Sequence, residues 1–256
     1  MAPAFIMVAP TGARRTPADH PALPVTLPDI VETARACHAA GAAALHLHIR
    51  DDQGVHSLDP GRYRETLAEL ARTVPTMRVQ VTTESAGIFS VGDQLATLTA
   101  LHPEWVSLSI REVAREPELA DRVYGTCAAA GTEIQHILYD TDDIRLLTEW
   151  TSKGIVRPDQ TSVILVLGRY SAGQVSNPAD LPPFHAQLST GHRWMLCAFG
   201  AREHECLRAA HALGGDLRVG FENSLTDATG TPHASNAASV AALIASLGQQ
   251  TERNTV

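Results

Sequence analysis

The chain has 256 residues, 44% of them hydrophobic, and a formal net charge of −8. That apolar content suffices for one α/β domain of barrel size, read as residues 1–256, and no low-complexity stretch argues for a second. The acidic balance, with no basic segment interleaved with aromatics, excludes the footprint of a nucleic-acid binder, and no apolar run approaches the roughly 20 residues that span a bilayer.

Phe5 to Ala9 reads as a first strand; it is too short for a signal segment and ends in Pro10-Thr11-Gly12. Short apolar or β-branched runs then recur at Ala42 to Leu47, Arg78 to Thr82, Trp105 to Leu108, Glu133 to Leu138, Val163 to Leu167, Trp194 to Ala198 and Asp216 to Val219. Between and after them, helical patterns cover Pro28 to Ala40, Pro60 to Thr73, Val91 to Leu101, Glu118 to Ala130, Thr141 to Ser152, Pro178 to Leu188, Ala201 to Leu213 and Ala234 to Leu247. Proline, Asp or Thr stands near several helix starts. Gly41, Gly131, Gly154, Gly214 and Gly248 follow helical stretches, where a left-handed cap is expected. Eight strand-helix repeats predict a (β/α)8 TIM barrel. A doubly wound open sheet is the alternative, but a dinucleotide-binding version wants G-x-G-x-x-G after its first strand, and Pro10-Thr11-Gly12-Ala13-Arg14 is not that. The least regular stretches, Arg14 to Leu27 and Leu167 to Pro183, are expected as loops over the site. Cys37, Cys127, Cys197 and Cys206 form no C-x-x-C pair and are expected as reduced, buried thiols in a cytoplasmic protein.

His46-Leu47-His48 is the most informative feature. Alternation along a strand points both imidazoles to one side, at the end where a barrel carries its chemistry. Two core or surface histidines would give the same pattern, so a third ligand must decide. In a barrel the residues that follow each strand share one rim, and here they are polar: Thr11 and Arg14, Arg50, Thr82, Thr83 and Glu84, Ser107, Ser109 and Arg111, Gln135 and His136, Arg169 and Tyr170, and Arg218 to Asn223. Glu222 is the natural third ligand. Two neutral imidazoles and one carboxylate leave open positions on Zn²⁺, the arrangement of a catalytic site. A metal there would polarise a carbonyl, while Arg218 would steady a carboxylate or developing negative charge. Singly, each residue also has a structural explanation: Arg218 as an ion pair, Glu222 as a helix N-terminal charge, Thr82 as a strand residue. The rim hydroxyls suit substrate binding better than nucleophilic attack, and no cysteine has an evident histidine partner.

Several segments together resemble the β-keto acid cleavage enzyme family, whose best-known activity acts on 3-keto-5-aminohexanoate. They are Pro10 to Ala13, Pro21 to Thr26, Gly41 to Asp51 and Arg218 to Asn223, with Ser235-Asn236-Ala237 in support. The resemblance covers nearly the whole chain. It implies a zinc-dependent (β/α)8 barrel in which a β-keto acid and acetyl-CoA give acetoacetate and a new acyl-CoA. It further implies His46, His48 and Glu222 as zinc ligands, Arg218 as the active-site arginine, and Thr82 or Thr83 with Ser109 as hydroxyl donors to substrate. Three positions depart from the family. Asn223 stands where an aspartate acts as base, Gln135 where an acidic residue is usual, and Arg14 where the aminohexanoate-cleaving members carry an acid. Glu84 or His136 is then expected to supply the base. Arg14 predicts a neutral or anionic acyl tail, since it would repel a cation. The two amides keep alternatives open: a metal-dependent lyase or hydrolase of altered chemistry, or a catalytically silent protein that binds zinc and a carboxylate. Homo-oligomers are common in the family, and the apolar helix Ala237 to Leu247 could serve an interface or simply pack on the barrel.

Overall fold

A computed structural model describes residues 4–253, with side chains described as far as residue 248. Eight parallel strands close into a barrel: β1 (Ile6–Val8), β2 (Ala44–Leu47), β3 (Arg78–Thr82), β4 (Trp105–Ser109), β5 (Glu133–Leu138), β6 (Ser162–Leu167), β7 (Trp194–Ala198) and β8 (Asp216–Val219), with β8 returning to β1. Each follows the run expected from its apolar residues to within two residues at either end. The connecting helices are α1 (Leu27–Ala39), α2 (Pro60–Thr73), α3 (Val91–Leu101), α4 (Ile110–Val113), α5 (Ala120–Ala130), α6 (Thr141–Ser152), α7 (Leu181–His185), α8 (Glu203–Ala212) and α9 (Asn236–Arg253). The fold is therefore the (β/α)8 barrel expected.

The local chemistry accounts for the helix starts. Thr26 and Ser90 close capping boxes with Asp29 and Asp93, and Asp59 and Asp140 cap α2 and α6 with their carboxylates. Gly131 ends α5 in the left-handed conformation, at φ 70°. Gly248 does not play that part, because α9 continues through it to Arg253. The helix expected over 178–188 is also cut short. A 3-10 turn at Pro178–Asp180 leads into α7, which ends at His185. A two-stranded hairpin, Ile49–Arg50 against His56–Ser57, was not expected, since each strand has only two residues and no periodicity to read.

Two apolar layers hold the barrel. Leu45, Leu47, Val81, Val106, Leu108, Leu165, Leu196 and Leu217 face outward against the helices. Met7, Ala44, Ile137, Ile164, Val166, Met195 and Cys197 fill the interior. All four cysteines are buried and unpaired. Among the described residues, no helix is long and apolar enough to cross a membrane.

Candidate active site

The inward-facing residues above the interior apolar layer are largely polar, and they surround a cavity at the carboxyl ends of the strands. Its lining includes His46, Thr82, Glu84, Ser109, Arg169, Arg218 and Glu222. His46 and His48, two residues apart at the end of β2, present their Nε2 atoms 3.1 Å from one another. Glu222 Oε2 lies 3.5 Å from His46 Nε2 and 3.6 Å from His48 Nε2. It is buried and has no hydrogen-bond partner.

Burial drives His46 down to about 4 and His48 well below the ordinary imidazole range, so both rings are neutral at pH 7 and keep a lone pair. Burial alone would raise the Glu222 carboxyl, yet the neighbouring cations, Arg218 foremost with Arg169 and Arg15, pull it below its ordinary value and hold the group ionised. Two imidazole nitrogens and one carboxylate oxygen thus converge within 4.8 Å of one another. Their separations are close to the roughly 3.3 Å edge of a tetrahedron of ligands about 2.0–2.1 Å from zinc. The donor set therefore fits a zinc ion.

A polar chain beneath the histidines fixes the tautomer. His46 pairs in register with Gln80, and its Nδ1 lies 2.8 Å from Gln80 Oε1. Gln80 Nε2 donates to Gln135 Oε1 at 3.0 Å, and Gln135 Nε2 points at Met195 Sδ, 3.8 Å away. This order makes Gln80 Oε1 an acceptor, hence His46 Nδ1 the protonated nitrogen and Nε2 the free one. Neither Gln80 nor Met195 stood out in the sequence, although alternation down from Thr82 places Gln80 inside the barrel.

The structure brings most of the expected residues together, but not all. Thr82, Ser109, Glu84 and Arg218 line the cavity, and Arg14 reaches its neighbour, a second cavity that shares Glu84, Arg169, Phe199 and Glu222. Arg14 Nη1 donates to Glu84 Oε1 at 2.8 Å, and Arg169 stands 3.6 Å from the same oxygen. Thr83, Gln135 and Asn223 line neither cavity. Thr83 is one residue out of phase with Thr82 and has a buried, unpaired hydroxyl. Gln135 is spent one layer deeper, on Gln80. His136 faces away from the barrel interior, packs against Tyr124 and lies 2.9 Å from the Gln160 carbonyl oxygen, so it supplies no base to the cavity. Asn223 lies fully buried behind Arg218. Tyr139 and Phe199, absent from the sequence reading, complete the wall.

The fold and the site define a class: a TIM-barrel enzyme with two histidines and one carboxylate at its catalytic face that could hold a metal ion. The profile of the family described as beta-keto acid cleavage enzyme matches residues 3–254, and the chain belongs to that family. It is 27% identical to 3,5-dioxohexanoate:acetyl-CoA acetone transferase of Paraburkholderia graminis, over 92% of this chain and 87% of the relative. It is 26% identical to 3-oxoadipate:acetyl-CoA acetyltransferase of Cupriavidus necator, over 95% and 88%. The 3-keto-5-aminohexanoate cleavage enzyme of Fusobacterium nucleatum is 24% identical, over 86% and 82%. Among solved structures, ObcA in binary complex with oxaloacetate superposes with a TM-score of 0.67 at 17% identity; 90% of this chain covers 64% of that longer one. The 3-dehydroquinate dehydratase of Geobacillus kaustophilus gives 0.61 at 12% identity, over 96% and 92%. These last two share the fold.

Proposed function

We propose that this enzyme cleaves a β-keto acid at the expense of acetyl-CoA, with zinc held by His46, His48 and Glu222. The bond between C2 and C3 of the keto acid breaks. The two-carbon carboxylate fragment takes the acetyl group and leaves as acetoacetate, and the remaining acyl group leaves on CoA. The observation that carries this reading is the convergence of His46 Nε2, His48 Nε2 and Glu222 Oε2 in a family that includes relatives named as acetyl-CoA transferases.

Zinc bound there would polarise the keto oxygen and share the negative charge that develops when C2 is deprotonated or released. The chain's own residues do the rest. Arg218, buried and kept cationic beside Glu222 against the pull of burial, faces the same cavity and would neutralise the substrate carboxylate or the enolate. Ser109, whose hydroxyl is buried and unpaired, would donate to a substrate oxygen, as would Thr82. Glu84 is the cavity carboxylate outside the metal-binding group, and the candidate to accept a proton from C2. Arg14 and Arg169 bracket that carboxylate at the mouth. Counting Arg14, Arg169 and Arg218 against Glu84 and Glu222, with a zinc dication added, the site is cationic. It therefore selects a neutral or anionic acyl tail.

The test is to measure metal content of the purified protein beside His46→Ala and Glu222→Ala. The zinc-loaded enzyme is then assayed with acetyl-CoA and a broad panel of β-keto acids, both 3-oxodicarboxylates and neutral acids. The expected result is one zinc per chain, lost in both variants, and acetoacetate formed in step with acyl-CoA. Zinc-loaded enzyme that forms no new thioester across the panel would overturn the reading.

A further inference from the structure

Behind the cavity lies a buried acid that this chemistry leaves unused. Glu203 opens α8, is 1% exposed, and lines neither cavity. Its Oε1 accepts hydrogen bonds from the Gly220 amide at 3.1 Å and from Asn223 Nδ2 at 2.9 Å. Its Oε2 has no partner. Asn223 Nδ2 also donates to the Arg218 carbonyl oxygen at 3.2 Å, so the amide nitrogen faces two acceptors and its orientation is fixed. Asn223 Oδ1 must then face Cys197, whose thiol donates to it at 3.3 Å. Cys197 is a thiol because burial pushes it up to about 11. Its sulfur accepts from Arg218 Nη2 at 3.2 Å, and the same nitrogen donates to Glu222 Oε1 at 3.3 Å. Four hydrogen bonds with compatible donors and acceptors thus connect Glu203, through Asn223, Cys197 and Arg218, to the carboxylate of the metal-binding group.

We propose that Glu203 is a positioning residue, the acid half of a Glu203–Asn223 pair that orients Arg218 and Glu222 from outside the cavity. The acid that the sequence lacks at position 223 is supplied one hydrogen bond farther back. For its catalytic consequence the inference rests on the proposed cleavage reaction. An aspartate at 223 alone would therefore not restore the family's usual site. With Glu203 in place, Asn223→Asp sets two carboxyl groups at hydrogen-bond distance in a buried setting, where both cannot ionise. Glu203→Gln, in contrast, keeps the shape and an oxygen that can accept both hydrogen bonds, so a merely structural role would survive it.

Wild type, Glu203→Gln, Asn223→Asp and the double variant are compared at about pH 9, above the value of about 8 to which burial raises Glu203, by thermal unfolding without metal and by kcat and KM when zinc-loaded. Glu203→Gln is expected to lower kcat at least about tenfold while KM changes less than about threefold. Asn223→Asp is expected to lose both melting temperature and kcat, and the double variant to exceed it in kcat by at least about tenfold. A Glu203→Gln enzyme within about twofold of wild type in kcat, or a double variant no better than Asn223→Asp, would overturn the pair. If Glu203→Gln does not fold, the comparison of Asn223→Asp with wild type decides: equal melting temperatures overturn the proposal, a clear loss supports it. A wild type that turns over no β-keto acid is a failure of the proposed function. The thermal cycle needs neither metal nor substrate and still decides the pair, with additive losses counting against it.

Discussion

At the scale of the residue, the site depends on groups that never touch the metal position. Gln80 holds His46 in the tautomer that frees Nε2, and removal of such a supporting hydrogen bond characteristically costs about 10–100-fold in metal affinity. Gln80→Leu is therefore expected to weaken zinc binding by that order, measured by competition with a chromophoric chelator, while unchanged affinity would mean that packing alone sets the ring. Glu203 has a consequence in stability as well. Burial raises its carboxyl to about 8, against the opposing effects of Asn223, the Gly220 amide, Arg15 and Arg218. The folded state thus binds a proton that the unfolded chain has released above its ordinary value near 4.5. The stabilisation from that proton is complete below the unfolded value and is lost as pH rises through the folded one. Stability of the metal-free protein should decline between about pH 5 and 8, and Glu203→Gln should flatten that slope in urea titrations at several pH values; an unaltered slope would assign the decline to other groups.

At the scale of the element, strands were legible and supports were not. Each barrel strand is a short run buried on both faces, so composition alone marks it, and the parity of His46 and His48 follows from the pleat. Glu222 and Arg218 were reachable because the last strand returns to the first, which brings the chain's end beside its start. The same reasoning missed Glu203, since a glutamate at a helix start reads as an exposed favourable charge. It also placed Thr83 and Gln135 on the rim, where one is out of phase and the other a layer too deep. Arg50 was read as a rim residue, but its tie to the first loop was not legible. It is 6% exposed, and its guanidinium donates to the carbonyl oxygens of Gly12 at 2.6 Å, Ala13 at 2.7 Å and Arg15 at 3.0 Å. It thereby ties the hairpin after β2 to the loop after β1. That loop is tight: Gly12 has φ +68°, and a Cβ there would lie 2.7 Å from Glu222 Cγ. Gly12→Ala combines backbone strain with displacement of the carboxylate proposed to hold zinc, and is expected to cost about 1–3 kcal/mol of stability along with much of the zinc affinity. A Gly12→Ala protein with native melting temperature and full zinc content would show that the loop yields where this packing says it cannot.

At the scale of the whole molecule, charge is distributed against the net. The chain carries −8 overall, which repels an anionic substrate and acetyl-CoA alike at long range. Around the catalytic mouth, however, Arg14, Arg15 and Arg169 gather beside Glu84 and Glu222, and Arg218 lies at the floor. The local field dominates once a substrate is within a Debye length, about 10 Å at 0.1 M salt, because the cavity walls exclude the screening ions that act at the surface. Salt weakens both contributions but attenuates the longer-range repulsion first. Steering by the mouth should nonetheless control capture of a doubly charged keto acid, whose second carboxylate lies beyond the reach of Arg218 and must find Arg14 or Arg169. We expect kcat/KM for a 3-oxodicarboxylate to fall severalfold more steeply between 0.05 and 0.5 M potassium chloride, about one Debye length of 14 Å to one near 4 Å, than kcat/KM for a neutral-tailed acid. With acetyl-CoA saturating in both assays, its own charge cancels from the comparison. Arg169→Gln should remove most of the difference, since Arg169 is less exposed than Arg14 and borders both cavities. Equal salt slopes for the two substrates would mean that the arginines at the mouth are committed to Glu84, and that the acyl tail is chosen by shape alone.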